Sequence, residues 1–280
     1  DYTLSRGLGD VYKRQIVLEG AISPADIFFS QDPISLGVVA KEGLFETLPN
    51  EILVSVPSWA SDKKGYWVGT SGRSRSLVID TRDVTPEELP NDIYGLADEK
   101  FRSRLGLAPT NSSFIAMVSC MIELDGEEKV LDWLSSINSL DYTEYPKNSP
   151  QVAAADSGEL DIGMVNHYYT LRLLAENGDS SIKNVYLDSG CGAMVMPAGV
   201  GILSSSQNKT AAMAFIEFLH SKSVQENFTN SLYEFPLVKG IEPNDLLPNL
   251  ENLNSPLNLN WSALAIWQEK AVELIARSGF

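Results

Sequence analysis

Residues 160–169 read LDIGMVNHYY. The apolar run from Leu160 to Val165 predicts a buried β-strand, and a helix is expected to follow it. Tyr168 and Tyr169 are therefore predicted to lie where a strand ends and a helix begins. In open α/β sheets, ligands gather at the carboxyl ends of the strands, so this position is typical of a binding site.

Two adjacent tyrosines can bring two phenol oxygens to one point. A phenolate is a hard, anionic oxygen ligand that suits a small, highly charged cation such as ferric iron. Because a free tyrosine has a pKa of about 10, only a strongly charged metal would displace the phenol protons near neutral pH. The alternative is that both rings are half-buried packing residues, and the pair alone leaves both interpretations open.

Short apolar strands alternate with amphipathic helices from Ile16 onward, which predicts an α/β fold. The predicted strands cover residues 25–29, 67–81, 105–108, 160–165 and 193–203. One predicted helix ends at Lys41, and the others cover 112–124, 127–138, 150–156, 210–220 and 262–277. Residues 244–259 are expected to form a connector without periodic structure.

The composition is that of a globular protein with an acidic surface. The 280 residues, 44% of them hydrophobic, are enough for one large domain or two lobes with a sizeable core. The formal net charge of −16 argues against nucleic acid or an anionic membrane surface as a partner. No apolar run approaches the roughly 18 residues of a transmembrane helix, so no direct membrane span is expected.

Cysteine and histidine are scarce: the chain has only Cys120, Cys191, His167 and His220. Because no CxxC motif or Cys/His cluster occurs, we expect neither a zinc site nor a disulfide framework. Two lone cysteines are usually small core residues, and the sequence leaves open whether they pair. With two histidines and no GxSxG, HExxH or P-loop motif, we expect that the protein is not an enzyme.

The first residues of the chain, 1–15, are interpreted as foreign to the protein. Their sequence, DYTLSRGLGDVYKRQ, looks like a translated sequencing-adapter scar, and we exclude it from fold reasoning. The native protein is then expected to begin near Ile16, already truncated. The absence of a signal peptide consequently says nothing about location.

An ordered set of motifs resembles the periplasmic ferric-ion-binding proteins of ABC iron transporters, which are transferrin-like, class II solute-binding proteins. The motifs are SPADIFFSQD (23–32), WVGTSGRSR (67–75), APTNSSF (108–114), YPKNS (145–149), VNHYY (165–169), AGVGIL (198–203) and EFPLV (234–238). The resemblance implies a two-lobed α/β fold with a hinge and an interlobe cleft. Lobe 1 is expected to comprise 16–79 and 200–258, with its start missing, and lobe 2 to comprise 80–199 and 259–280.

The resemblance also implies that Tyr168 and Tyr169 supply two phenolate ligands to ferric iron. A third ligand usually follows the first-lobe strand and is a glutamate in some members, whereas this chain has Gln31 and then Asp32. The Gln31 carbonyl is a neutral, weaker ligand, and Asp32 before Pro33 also fits a helix cap. Other members use a histidine near the mature N-terminus, a segment that is absent here.

A synergistic anion, carbonate or phosphate, completes the iron shell in many members of the family. Residues 110–113 (TNSS) lie at a predicted helix start, where free N–H groups and the helix dipole favour an anion. By resemblance, the anion-binding residues are Asn111, Ser112, Ser113, Asn148 and Asn166. The alternative is that Thr110 or Asn111 merely caps its helix.

Two arginines are candidates for charge neutralisation in this pocket. Arg73 and Arg75 are two residues apart in an extended segment, so both point to the same face. We expect Arg73 to neutralise the anion or a phenolate, with a surface salt bridge as the alternative. His167 is expected to point away from the metal.

The function implied by the resemblance is a monomeric periplasmic or extracytoplasmic carrier that captures ferric iron and delivers it to an ABC permease. Two phenolates and an anion neutralise a trivalent ion, as a low-dielectric cleft requires. Each phenolate must lose a proton, so affinity should fall with pH. The alternatives are a same-fold binding protein for a sugar phosphate, thiamine or polyamine, and a degraded fragment that binds nothing.

Overall fold

Helices and strands alternate along the chain, as the apolar pattern predicts. The computed structural model describes residues 8–256 and 259–280. The described α-helices are α1 (Leu8–Glu19), α2 (Pro33–Lys41), α3 (Asn50–Leu53), α4 (Ser112–Asp125), α5 (Glu127–Asn138), α6 (Asn148–Ser157), α7 (His167–Glu176), α8 (Lys209–Leu219), α9 (Lys222–Leu232) and α10 (Trp261–Arg277). The described strands are β1 (Ile27–Ser30), β2 (Val68–Asp80), β3 (Leu105–Leu107), β4 (Thr143–Glu144), β5 (Ile162–Asn166), β6 (Ile182–Val185), β7 (Val195–Ile202) and β8 (Phe235–Pro236). None of these helices is long and apolar enough to cross a membrane.

The chain forms two units, each assembled from three segments. The first unit comprises Asp1–Gly72, Met196–Asn244 and Asn258–Ala265, and the second comprises Arg73–Val195, Asp245–Leu257 and Ile266–Phe280. Strands β2 and β7 therefore contribute residues to both units. The predicted lobe limits, after residues 79 and 199, lie on the same two strands but a few residues after the unit limits at Gly72 and Val195. The division into lobes stays a prediction.

The sheet of the second unit places two parallel strands side by side. β3 and β5 run parallel, with Leu105 opposite Ile162, and β2 runs antiparallel to β5, with Arg75 opposite Asn166. β4 extends the sheet beyond β3, and β6 pairs with β2. Because β3 and β5 point the same way, the segments that follow them leave from the same edge of the sheet. These segments lead into α4 and α7.

A small apolar core is formed by residues of β2, β5, β6 and α6, with α7 packed against it. Its buried residues are Val78, Val152, Ala155, Val165 and Ile182, and Tyr169, Leu173 and Leu174 pack against it. α6 ends at Gly158, whose φ of 83° is the left-handed conformation that favours glycine, so the predicted helix stop is confirmed. Apolar packing in this core therefore joins β2, β5 and α6 to α7, the helix that carries Tyr169.

The two cysteines form one disulfide bond within the second unit. Cys120 of α4 and Cys191 are joined with an S–S distance of 2.06 Å. Both residues are buried, as expected for small core residues. The bond answers the question of pairing that the sequence leaves open, and it fastens α4 to the segment before β7.

The sheet of the first unit contains β1, β7, the start of β2, and β8. β1 pairs antiparallel with β7, with Ile27 opposite Ile202, and β8 pairs with β2. β7 is the neighbour of β2 in this sheet. The predicted strand before Ser30 and the predicted helix that ends at Lys41 are both confirmed, as β1 and α2.

The N-terminal segment contradicts one expectation about the fold. Residues 8–15 form the first part of α1, which packs against α2, and Ile16 is buried. The structure therefore places residues 8–15 in a helix, which the sequence-based prediction leaves out of the fold. Residues 1–7 lie outside the described residues, and the foreign origin of 1–15 stays a prediction.

Candidate functional site

The tyrosine pair lies in the first turn of α7, directly after β5. The predicted junction of strand and helix is therefore confirmed. The two ring centroids are 4.3 Å apart, and the ring planes are tilted by 34°. Tyr168 is buried and Tyr169 is half-buried, with Tyr169 packed on the apolar core. A tyrosine can pack through its ring and use its hydroxyl elsewhere, so packing and ligation are compatible at this position.

Two guanidinium groups lie near the Tyr168 ring. The Cζ atom of Arg172 is 4.8 Å from the ring centroid, and the Cζ atom of Arg73 is 5.9 Å from it. Arg172 follows Tyr168 by four residues on α7, which is the spacing of neighbours on one helix face. Positive charge at this distance attracts the negative charge that a phenolate carries.

A third guanidinium, that of Arg75, is the centre of a hydrogen-bond network. Its Nη1 donates to Ser113 Oγ at 3.1 Å and to Asn166 Oδ1 at 2.9 Å, and its Nη2 donates to the Met164 carbonyl at 3.1 Å. Burial lowers the pKa of Arg75 to about 10, and the charges that the phenols of Tyr168 and Tyr169 would carry oppose this shift. Arg75 therefore stays positively charged at neutral pH, although these three partners are neutral.

The start of α4 joins the same network. Asn111 caps the helix, because its Oδ1 accepts hydrogen bonds from Ser113 N at 3.0 Å and from Ser113 Oγ at 2.7 Å. Asn148 Nδ2 lies 3.5 Å from Ser113 Oγ. The structure thus brings together four predicted anion-binding residues, Asn111, Ser113, Asn148 and Asn166. The fifth, Ser112, is exposed at the start of α4.

The electrostatics of this cluster suit an anion. α4 and α7 both begin here, and the N-terminus of a helix carries free N–H groups and partial positive charge. The Nε of Arg75 is buried and has no hydrogen-bond partner among the described residues. A buried donor without a partner costs free energy, and a bound oxyanion such as carbonate or phosphate would supply an acceptor.

Gln31 and Asp32 belong to the first unit, at the end of β1. The Asp32 carboxylate caps α2, because it accepts hydrogen bonds from Ile34 N at 2.9 Å, Ser35 N at 3.1 Å and Ser35 Oγ at 2.7 Å. Burial raises the pKa of Asp32, while these hydrogen bonds act in the opposite direction. This geometry favours the capping alternative for Asp32. Gln31 is exposed, and its role as a ligand stays a prediction.

His167 is fully buried between the strands and the neighbouring rings. Ser74 N donates to His167 Nδ1 at 3.1 Å, and the imidazole lies edge-on to the Tyr168 ring with centroids 5.7 Å apart. A second ring, Tyr186, lies 6.2 Å from it. These contacts are those of a packing residue, in line with the expectation that His167 points away from a metal.

Sequence reasoning did not commit to two of the residues that the structure brings to this site. The sequence offers Arg73 and Arg75 on the same face and favours Arg73. The register sets Arg75 opposite Asn166, while Arg73 lies near the Tyr168 ring, so both arginines are close to this site. Arg172 is absent from the sequence prediction, although its spacing of four residues from Tyr168 on the helix that follows the strand is a usable signal.

Known proteins match this chain over most of its length. Residues 23–265 match the family described as "Bacterial extracellular solute-binding protein". The chain is 33% identical over 285 residues to the "Major ferric iron-binding protein" of Neisseria meningitidis serogroup B, an alignment that covers 99% of this chain and 84% of that protein.

Solved structures of similar proteins include iron-bound HitA from Pseudomonas aeruginosa. It has a TM-score of 0.89 and 28% identity, with 97% of this chain and 88% of that chain covered. Trichodesmium IdiA (FutA) in complex with iron and citrate ligands has a TM-score of 0.84 and 25% identity, with 97% and 88% covered. These matches confirm the predicted α/β fold of two-lobed periplasmic binding proteins. The chain belongs to the bacterial extracellular solute-binding protein family.

Proposed function

We propose that this protein captures ferric iron outside the cytoplasm and delivers it to the permease of an ABC transporter. The observation that carries the proposal is the tyrosine pair at the end of β5, with ring centroids 4.3 Å apart. The identity of 33% to a protein named for ferric iron binding supports the choice of cargo. The family description as extracellular supports a periplasmic or other extracytoplasmic location.

In this proposal, the phenolate oxygens of Tyr168 and Tyr169 are ligands of the ferric ion. Binding removes two phenol protons, so iron affinity falls as the pH falls. Arg73 and Arg172, whose guanidinium groups lie 5.9 and 4.8 Å from the Tyr168 ring, attract the resulting negative charge. Gln31 is a further candidate ligand. Asp32 is a poorer candidate, because both of its oxygens already accept hydrogen bonds in the cap of α2.

A synergistic anion would bind at the start of α4. Arg75, Ser113, Asn148 and Asn166 would hold it, with Asn111 orienting Ser113, and Ser112 at the open side of the helix start. Carbonate and phosphate both fit a site made of hydroxyl, amide and guanidinium donors. Together with two phenolates, such an anion balances the charge of a trivalent ion in a poorly solvated place.

The carrier role needs no catalytic step, and we propose that the protein acts as a monomer without enzyme activity. The permease would distinguish the loaded protein from the empty one, because the ligand stabilises the form to which it binds more tightly. A same-fold carrier for a sugar phosphate, thiamine or polyamine is the alternative. Such cargo would not need two phenol oxygens.

Visible spectroscopy tests the proposal directly. The protein is mixed with ferric citrate and bicarbonate, and we expect a phenolate-to-iron charge-transfer band. The band should disappear in Tyr168→Phe and in Tyr169→Phe. Tyr94→Phe is the matched control, because Tyr94 lies in the same unit and donates its hydroxyl proton to Asp125 at 2.9 Å.

Two outcomes would contradict the proposal. The first is a colourless wild-type protein whose melting temperature does not change with ferric citrate. The second is a band that persists in both Phe variants. If a sugar phosphate, thiamine or a polyamine raises the melting temperature while ferric iron does not, the alternative cargo is correct.

A further inference from the structure

A groove in the first unit combines apolar side chains with three lysines. It is a cavity of about 670 Å³, and its lining includes Leu53, Val54, Val56, Lys63, Lys64 and Lys239. We call these six residues the lysine groove. Its volume lies within the range of about 300–1,000 Å³ that is typical of ligand-binding clefts. None of its residues belongs to the tyrosine site or to the Arg75 network.

Two of the lysines are presented by a tight turn. Gly65 N donates to the Asp62 carbonyl at 2.9 Å, and Lys64 N donates to the Asp62 carboxylate at 2.8 Å. Lys63 and Lys64 occupy the two central positions of the turn. Asp62 and Gly65 occupy its first and last positions, where aspartate and glycine are favoured. Gly65 has a φ of 79°, which other residues rarely adopt. The turn therefore fixes the backbone beneath both ammonium groups.

The third lysine is held by two backbone carbonyls of the lysine groove and its flank. Lys239 N donates to the Ser55 carbonyl at 3.0 Å, and Lys239 Nζ donates to the Val54 carbonyl at 2.8 Å. An ammonium group has three donors, so this contact leaves two for a bound partner. Val54 itself is 52% exposed, which leaves an apolar surface beside the charge.

The charge of the lysine groove is opposite to that of the whole chain. The protein has 37 acidic residues against 21 lysines and arginines. Within the described part of the chain, Lys63, Lys64 and Lys239 form no ion pair. The one acid in the lining, Asp62, is engaged by the backbone N–H groups of Lys64 and Tyr66. The lining therefore has three positive charges against one negative charge, which favours a negative partner over a positive one.

We propose that the lysine groove docks a short acidic segment of a partner protein. Carboxylates of the segment contact Lys63, Lys64 and Lys239, and an apolar side chain packs on Leu53 and Val54. The three lysines are exposed, so the site is open to a chain that passes across it. The identification of this partner as the membrane permease rests on the proposed function, whereas the acidic chemistry of the segment does not.

Fluorescence anisotropy tests this docking. The probe is a fluorescein-labelled peptide of alternating glutamate and leucine, compared with a peptide that has glutamine in place of glutamate. We expect the acidic peptide to bind and the glutamine peptide to bind far more weakly. The double variant Lys63→Glu, Lys64→Glu should weaken binding by roughly tenfold or more, and added salt should weaken it in the wild type. Lys183→Glu, at an exposed lysine of the second unit, should have no effect.

A neutral variant keeps this test independent of folding. Lys63→Gln, Lys64→Gln should melt like the wild type and still lose most of the peptide affinity. The proposal is overturned if the acidic peptide does not bind, if both peptides bind equally, or if the charge reversals leave binding unchanged. It is also overturned if inorganic phosphate displaces the peptide, or if phosphatidylserine vesicles bind this surface and the peptide does not.

The ferric charge-transfer band separates this inference from the proposed function. The band should be unchanged in Lys63→Glu, Lys64→Glu, because the lysine groove is not part of the tyrosine site. A wild-type protein that binds the peptide but develops no band would refute the iron proposal and leave the docking surface intact. Loss of the band in the charge-reversed variant would refute the separation of the two sites.

Discussion

Arg75 has a buried positive charge whose hydrogen bonds go to a hydroxyl, an amide oxygen and a backbone carbonyl. Neutral partners orient the guanidinium but do not neutralise its charge. A bound anion would therefore be attracted by one uncompensated positive charge in a poorly solvated place. At the scale of single residues, the charge of Arg75 favours an iron site that includes a bound anion over an iron site that has only phenolate ligands.

Replacing Arg75 should therefore remove the dependence of iron binding on the anion. In the wild type, we expect the charge-transfer band to require bicarbonate or phosphate. In Arg75→Gln, iron affinity should fall by roughly tenfold or more, and added bicarbonate should restore little of it. Arg102→Gln, at an exposed arginine of the same unit, is the control. An unchanged bicarbonate dependence in Arg75→Gln would contradict the role of this residue.

His220 gives the stability of the first unit a dependence on pH. Its Nε2 lies 3.0 Å from the Gly69 carbonyl, and burial lowers the pKa of the imidazole below its usual 6.5. The unfolded chain then binds a proton at a higher pH than the folded chain does, so stability is lost as the pH falls below about 6.5. Urea unfolding at pH 7.5 and at pH 5.5 measures the loss.

The variant His220→Gln identifies the source of this effect. It should reduce the difference in unfolding free energy between the two pH values. An equal difference in the wild type and in His220→Gln would assign the acid sensitivity to other groups.

The sequence predicts the tyrosines better than the arginines, for a physical reason. Tyr168 and Tyr169 are adjacent in the chain, and their place at a strand end follows from the local apolar pattern. Which of Arg73 and Arg75 lies opposite Asn166 depends on strand register, which is a long-range property. The disulfide between Cys120 and Cys191 depends on long-range distance in the same way.

At the scale of elements, the first turn of α4 combines a helix cap with the predicted anion site. Asn111→Ala removes an acceptor that takes two hydrogen bonds from Ser113. We expect a loss of about 1 kcal/mol in the free energy of unfolding, the usual cost of losing an asparagine cap. Asn111→Asp keeps an acceptor at the cap and should retain most of the stability.

Anion binding gives a second measurement on the same element. Because Asn111 orients the Ser113 hydroxyl, Asn111→Ala should also weaken the effect of bicarbonate on the iron band. Ser112→Ala changes the exposed neighbour and should leave the free energy of unfolding nearly unchanged. A cap variant that loses no stability would show that other groups satisfy the start of α4.

The elements themselves follow largely from local patterns. Helix α4 and the β5–α7 junction match the predicted positions within a few residues, because apolar spacing and turn residues are local signals. α1 is the exception. The sequence-based prediction excludes residues 1–15 on their origin, whereas the structure begins α1 at Leu8 and α1 contacts α2.

At the scale of the whole molecule, the disulfide limits how far the unfolded chain can expand. Cys120 and Cys191 are separated by 71 residues, and closing a loop of that length is expected to stabilise the fold by about 4 kcal/mol. The double variant Cys120→Ala, Cys191→Ala should lose most of this in urea unfolding, together with a smaller packing loss. A loss below about 1 kcal/mol would show that the loop argument fails here.

The disulfide also bears on location. Disulfide bonds persist in oxidising compartments and are rare in the cytosol, which supports the proposed extracytoplasmic site of action. Because both sulfur atoms are buried, a mild reductant should not open the bond while the second unit stays folded.

The division of each unit into three segments affects the order in which the protein can fold. Helix α10 contributes residues to both units: Trp261 donates to the Trp59 carbonyl in the first, and Trp267 donates to Glu123 in the second. A growing polypeptide that stops before residue 245 lacks segments of both. The first unit is incomplete until its segment up to Ala265 has been made, and the second until its segment up to Phe280 has been made, so neither can fold fully while the earlier segments are being synthesised. Nascent chains should therefore stay open to protease, in a form that can be threaded across a membrane.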